Sequence, residues 1–400
     1  MEALMSTDKY IVLRSRSLMV PTMDNLGIGA SARSFAPPRE AMELEEADLT
    51  LRERSELRRD PSVRAIAPPM AMKLVEPVER KAVDVSAMSL ETWGVRAVRA
   101  SDSPYNGEGI TVAVLDTGID PGHPAFQGVE LVRQNFTSEG EDDTNGHGTH
   151  CAGTIFGRDV QGKRIGIAAK VQRALIGKVL GEGGGSSGAI AHAIEWAIAE
   201  GAHVISMSLG IDFPGYVKYL VEIDGYDINP ATSLALEAYR ANINLFGALA
   251  DFVRARSVMG QGSVIVSASG NESNRPEYEI AVAPPAAGTG IVSVGALRDT
   301  GNGLDVAYFS NNQVDISAPG VDIVSATPGG GLAGMSGTSM ATPHAAGVAA
   351  LWAQRQLQLT GHVESPSLTA QLIASGTFAP LVAGIEEEDV GTGIVQAPLG

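Results

Sequence analysis

From about Leu90 onward the chain is punctuated by apolar runs that lack polar alternation: ITVAVLD at 110–116, HVISMSL at 203–209, SVIVSAS at 263–269 and GIVSVGAL at 290–297. Such strands are expected where both faces of a sheet are covered. Helical patterns separate them, notably at 189–200 and 339–356, and this alternation predicts an α/β fold with a doubly wound, mostly parallel sheet flanked by helices. Upstream the pattern changes. Residues 10–13 predict a short strand, 41–59 a helix with Leu44, Ala47 and Leu51 on one face, ended by Pro61, and 63–66 and 70–75 two further strands. These make a small α+β unit in which 30–38 is poorly patterned and after which 75–87 suits a linker. The expected organisation is therefore an N-terminal unit with its linker over 1–85 and an α/β domain over 86–400.

Four local patterns carry chemistry. Asp116 closes the first buried run, at the carboxyl end of a strand, where open α/β sheets place their sites; an Asp there also serves as a cap or turn residue. Gly146-His147-Gly148-Thr149-His150 sets a histidine between glycines at a helix start, so the backbone can pass close to a neighbour. Of His147 and His150, three apart, one can face a crevice while the other packs or caps a turn. A zinc pair is disfavoured, because zinc helices space their histidines by four with a Glu between them.

Gly337-Thr338-Ser339-Met340-Ala341 puts a serine on a tight turn at the start of a helix, ordinarily an N-cap position. Pro343 and the small residues around it allow close packing under a site, and the Ser339 N–H can point at an oxyanion. Ser267-Ala268-Ser269-Gly270-Asn271 adds a strand end followed by an amide, a second oxyanion donor, although Gly-Asn is also a common turn dipeptide. A serine hydroxyl is a poor nucleophile near neutral pH. His147 can take its proton, and Asp116 can hold the imidazole in the right tautomer and stabilise its cation.

The stretches 114–120 (VLDTGID), 147–154 (HGTHCAGT), 268–271 (ASGN) and 337–344 (GTSMATPH) together resemble the subtilase family of serine proteases, with Cys151 after His150 as in its proteinase K branch. The resemblance implies a serine endopeptidase with the triad Asp116, His147 and Ser339, an oxyanion donor in Asn271, and no required cofactor. It also implies that Gly183-Gly184-Gly185 and Ser208-Leu209-Gly210 sandwich an extended substrate. Ala268, Ser269 and Gly270 would complete an entry wall favouring a large apolar residue before the scissile bond. The N-terminal unit resembles the family's inhibitory propeptide, cut off by the enzyme itself. Two departures stand out. Ala125 and the loop 157–167 lack the usual calcium ligands, and the connection around 211–262 is longer than the family's, with a helical stretch over 230–256.

Bulk properties narrow the remaining readings. The net charge of -17 argues against a nucleic-acid partner, and the acidity sits almost wholly downstream of Val85, since the stretch through Val85 holds 13 basic and 14 acidic residues. A single cysteine excludes an intrachain disulfide. The N-terminus lacks the pattern of a secretion signal and no apolar run reaches membrane-spanning length, so a cytoplasmic protein, or export by another route, is expected, with no membrane partner. Expected partners are polypeptide substrates and the chain's own N-terminal segment. An aspartic protease is a rival reading, because Asp-Thr-Gly occurs at 116–118 and 299–301, but the second copy reads as a plain turn. A peptide-binding module that keeps the fold without strong catalysis is the alternative from another class.

Overall fold

Tyr10 and Val12 alternate along β1 (Asp8–Leu18), the central strand of a three-stranded antiparallel sheet with β2 (Arg39–Leu49) and β3 (Val63–Ala67) at its sides. With Leu49 they form a small core against Leu57, Val63 and Ile66. In this computed structural model, which describes residues 7–18, 39–255 and 261–400, the chain divides into two units, Met1–Pro69 and Met70–Gly400. The poorly patterned 30–38 stretch lies outside the described residues. The helix expected over 41–59 is corrected: its first half is strand β2, and α1 is confined to Leu51–Leu57. Helix propensity is a weak preference that strand pairing overrides, and here the helix starts only where Thr50 and Glu53 form a capping box.

The second unit opens with β4 (Ala71–Leu74), β5 (Glu79–Ala82) and α2 (Trp93–Ala97), then β6 (Thr111–Asp116), β7 (Glu130–Asn135) and α3 (His147–Phe156). Next come β8 (Arg173–Lys178), β9 (Gly185–Ser186), α4 (Ser187–Ala199), β10 (Val204–Met207) and β11 (Leu209–Ile211). Two helices, α5 (Phe213–Glu222) and α6 (Ile228–Ala255), fill the long connection. The chain continues with β12 (Val264–Ala268), β13 (Val292–Asp299), β14 (Leu304–Val306), β15 (Ile316–Pro319), β16 (Ile323–Thr327) and β17 (Gly331–Ser336). It ends with α7 (Thr338–Thr360), α8 (Ser365–Ala374) and α9 (Glu387–Val390).

Among the described residues the central sheet has eight strands, ordered β14-β13-β12-β10-β6-β8-β7 with β15 beside β13. Its pairs are parallel except β13 with β14. Val112 and Val114 belong to the core shared with α3 and α7, while Ala113 and Leu115 between them are equally buried. Both faces of β6 are therefore covered, which explains a run without polar alternation. Helix α7 packs on the sheet through a face rich in Ala, and Gly347 lets it touch the loop after α3, since a Cβ there would fall 2.5 Å from the Ile167 Cβ.

Three features bear on the sequence expectations. Residues 299–301 form the turn between β13 and β14, with Gly301 N–H donating to Asp299 Oδ1 at 2.8 Å, so they are not half of a carboxylate dyad. The stretch expected as a linker holds an ordered strand instead, since β5 pairs antiparallel with β17 from Glu79↔Ser336 to Ala82↔Ala333. Among the described residues no helix is long and apolar enough to cross a membrane.

Candidate active site

The carboxyl ends of β6, β10 and β12 and the starts of α3 and α7 converge on one cleft. Asp116, the last residue of β6, is buried, and its Oδ1 accepts from Thr117 N at 2.7 Å and from His147 Nδ1 at 2.8 Å. This bond fixes the His147 proton on Nδ1 and leaves Nε2 buried without a partner. Burial works against the His147 cation, but the adjacent Asp116 carboxylate outweighs it and holds the imidazole well above the ordinary histidine range. Cys151, one turn along α3, places Sγ 3.7 Å from His147 Nδ1 and 3.4 Å from the Ser339 carbonyl oxygen. Burial pushes its thiol up, so it is a neutral neighbour.

The ambiguity between the two histidines resolves on hydrogen bonding. His150 Nε2 meets Ile323 O at 3.0 Å and Ala333 O at 3.2 Å, which ties α3 to β16 and β17. Burial, then repulsion from His147, lowers it to about 3. His344 donates from Nδ1 to Met340 O at 2.8 Å, and burial lowers it to about 4. Both are neutral structural groups.

Asp143 was not singled out in the sequence, yet it organises the entry to α3. Its Oδ1 accepts from Thr117 Oγ1, Asn145 N and Gly146 N, and its Oδ2 from Thr149 N and Thr149 Oγ1, at 2.6 to 3.1 Å. The only signal for it is an Asp a few residues ahead of a helix start, which is the signature of a cap. Gly148 completes the contact: a Cβ there would lie 2.2 Å from Gly118 O, so only glycine lets the Asp116 and His147 loops touch.

Ser339 is the second residue of α7, where backbone N–H groups have no helical partner. Its hydroxyl donates to Val75 O at 2.6 Å. The Asn271 side chain is oriented by Thr338, whose N–H and Oγ1 donate to Oδ1 at 2.8 and 2.9 Å, and its Nδ2 then donates to Glu76 O at 2.9 Å. Gly337 keeps this corner open, since a Cβ there would sit 3.0 Å from Asn271 Nδ2 and 3.2 Å from Ser339 Oγ.

The chain's own β4 runs through the cleft as the middle strand of a three-stranded sheet, between β11 and β9. Val75 N–H donates to Ser208 O at 3.3 Å, Leu74 pairs with Leu209, Lys73 with Gly210, and Met72 with Gly185. Gly184 has φ of +84°, and a Cβ on it would meet Met72 O at 2.6 Å, whereas Gly183 sits at an open turn with nothing within 4 Å. Ala268, Ser269 and Gly270 carry Asn271 into place: Ser269 N–H donates to Val294 O and Gly270 N–H to Thr338 Oγ1, each at 3.2 Å.

Near Ala125 the cation present is a side chain. Ala125 O accepts from Arg158 N at 2.7 Å, and the Arg158 guanidinium donates to Phe156 O, Ala169 O and Val171 O at 2.5 to 3.3 Å. Carbonyl oxygens of this kind are what a hard metal ion would need. Among the described residues the one cluster of three potential metal ligands is Asp116, His147 and Cys151, within the cleft itself.

A parallel α/β sheet that brings a carboxylate, an imidazole, a serine hydroxyl and a side-chain amide to its carboxyl edge defines the class of α/β serine hydrolases. Residues 107–377 match the subtilase family. The chain is 33% identical over 274 residues to an intracellular serine protease of Paenibacillus polymyxa, covering 67% of this chain and 74% of the relative. It is 30% identical over 319 residues to a thermostable alkaline protease of Halalkalibacterium halodurans, covering 79% and 74%. With subtilisin Savinase of Lederbergia lenta it shares 32% over 285 residues, or 68% and 90%. The chain belongs to the subtilase family and is a subtilisin-like serine endopeptidase. Catalysis in this family needs no cofactor.

Proposed function

We propose that Ser339 is the nucleophile, His147 its general base, Asp116 the group that orients and stabilises the imidazole, and Asn271 with the Ser339 N–H the oxyanion donors. The observation that carries this reading is the Ser339 hydroxyl resting on the Val75 carbonyl, at the end of a strand paired on both edges. A substrate entering as β4 does would bring its scissile carbonyl to that hydroxyl. His147 Nε2 takes the Ser339 proton as the bond to carbon forms. The tetrahedral oxyanion then falls to Asn271 Nδ2 and the Ser339 N–H, and the proton passes to the leaving nitrogen as the peptide bond breaks. Water repeats the sequence on the acyl-enzyme and regenerates Ser339.

The same geometry supports synthesis as a self-processing zymogen, with the Val75–Glu76 bond as the first cut. A tethered strand fills the cleft at high effective concentration without great intrinsic affinity. The arrangement is latent because Asn271 holds the carbonyl of Glu76, one residue beyond the one that faces Ser339, so cleavage requires Glu76 to yield Asn271 to the Val75 carbonyl while β4 keeps its pairing. Val75 as the residue before the cut agrees with an apolar preference at that position. The Arg158 guanidinium supports a second point, that the 125 and 157–167 region needs no calcium. Intact mass on freshly purified protein tests the reading. Wild type should yield a fragment beginning at Glu76 or at a later residue up to Leu90, and Ser339→Ala should stay full length in a host lacking other proteases. Trimming of Ser339→Ala at the same place, or an uncut and fully active wild type, refutes self-processing.

A further inference from the structure

The side chain of Lys73, two residues before Val75 on β4, projects from the paired strand onto two carboxylates. Its Nζ lies 3.2 Å from Asp212 Oδ1 and 3.9 Å from Glu272 Oε1. Neither carboxylate is loose. Asp212 is the N-cap of α5 and accepts from Gly215 N, so the long connection delivers its first acidic group to the cleft rim. Glu272 follows the proposed oxyanion amide and is held by Asn311 Nδ2 at 2.9 Å. Two anchored anions thus flank the path of a strand whose register is set by Gly210 and Gly185 on either side.

We propose that Asp212 and Glu272 form a cation-selective subsite for the third residue before the scissile bond, which makes this peptidase prefer Lys or Arg there. The inference rests on the reading that β4 marks the substrate path. When the N-terminal segment leaves, the two like charges lose their shared cation, and a substrate Lys or Arg restores it. The groups are 36 to 43% exposed, so the effect is modest and screened by salt.

The experiment uses the processed enzyme and three otherwise identical peptides with Lys, Ala or Glu at the third position before the cut and an apolar residue directly before it. At low ionic strength kcat/KM for Lys over Ala should be on the order of 3- to 10-fold, with Glu below Ala. Asp212→Asn and Glu272→Gln keep the cap and the Asn311 contact, because each amide retains an acceptor oxygen. The double variant should bring the Lys to Ala ratio to about one, and 1 M salt should compress the wild-type ratio in the same direction. Cleavage of all three peptides at equal rates, or a Lys preference unchanged in the double variant, overturns the subsite and leaves the peptidase reading intact. Failure to cleave any of them overturns the peptidase reading and the subsite with it.

Discussion

Asp143 accepts the hydroxyl proton of Thr117 at 2.9 Å, and through this bond the loop after Asp116 and the loop before His147 become one unit. Thr117 Oγ1 in turn accepts from Gly148 N at 2.9 Å. The geometry between carboxylate and imidazole thus depends on a residue that touches neither. Replacing Asp143 by Ala strands two buried backbone N–H groups, those of Gly146 and Thr149, each costing about 1–3 kcal/mol. Melting measured in a Ser339→Ala background should show a large loss of stability, and kcat in the active background should fall at least about 100-fold. Asp143→Asn keeps one strong acceptor and should be intermediate. An Ala variant with normal kcat would remove Asp143 from the positioning of His147.

The proposed oxyanion donor is tested by Asn271→Ala. Loss of one such donor lowers kcat by about 100- to 1000-fold, the range known from subtilisin, a member of this family. The variant should show that drop with little change in KM, since the amide acts on charge that exists only in the transition state. A rise in KM with normal kcat would reassign Asn271 to ground-state binding.

Pro77 has no N–H, and the next donor, Val78 N, reaches Ser336 O at 2.8 Å. Pro77→Ala supplies an N–H one residue earlier. Competition for Ser336 O should then loosen the pairing beyond Val75, release the Glu76 carbonyl from Asn271 and let the Val75 carbonyl reach it. Self-processing, followed by the half-life of the full-length chain, should accelerate several-fold. An unchanged or slower rate would show that the register beyond Val75 does not limit the first cut.

Buried His150 and His344, lowered to about 3 and about 4, stay neutral in the folded chain while unfolded histidines titrate at about 6.5. Between these limits the unfolded state binds protons that the folded state refuses. Stability therefore rises with pH across that window and falls as pH drops from about 6.5 toward 4, by on the order of 3 kcal/mol for His344 alone. Urea unfolding of Ser339→Ala at several pH values should show this slope, and His344→Gln should flatten it. A slope identical in both proteins would locate the acid sensitivity elsewhere.

Strands β6, β10, β12 and β13, helices α4 and α7 and the groups of the cleft were legible because each has a local cause: continuous apolar runs, small residues on a close-packed helix, and glycines beside the histidine, whereas the parallel strands β7, β8 and β15 carry no such run and were not read. What escaped the sequence depends on partners far along the chain. Residues 41–49 hold good helix formers, but their backbone pairs with β1. Glu79–Ala82 carries no apolar pattern and is exposed throughout; its strand exists because β17 offers an unpaired edge. The two anions around Lys73 come from residues 139 and 199 positions away, a relation that no local spacing expresses. Asp143 hides among the acidic neighbours Glu139, Glu141 and Asp142.

On the proposed pathway, the pairing of β5 with β17 affects the fate of the first cut. Acylation of Ser339 by Val75 frees an amine on Glu76, and four ladder positions downstream keep that amine beside the ester it has just left. A retained amine is a better-placed nucleophile than solvent water, so the acyl-enzyme can resynthesise the peptide bond as readily as it can hydrolyse. The cut then becomes irreversible only when residues 76–82 peel from β17 and let water take their place. The rate of maturation would accordingly be set by the unzipping of one short, exposed strand, and mutations along residues 79–82 that touch no reacting atom would tune how quickly the enzyme turns on.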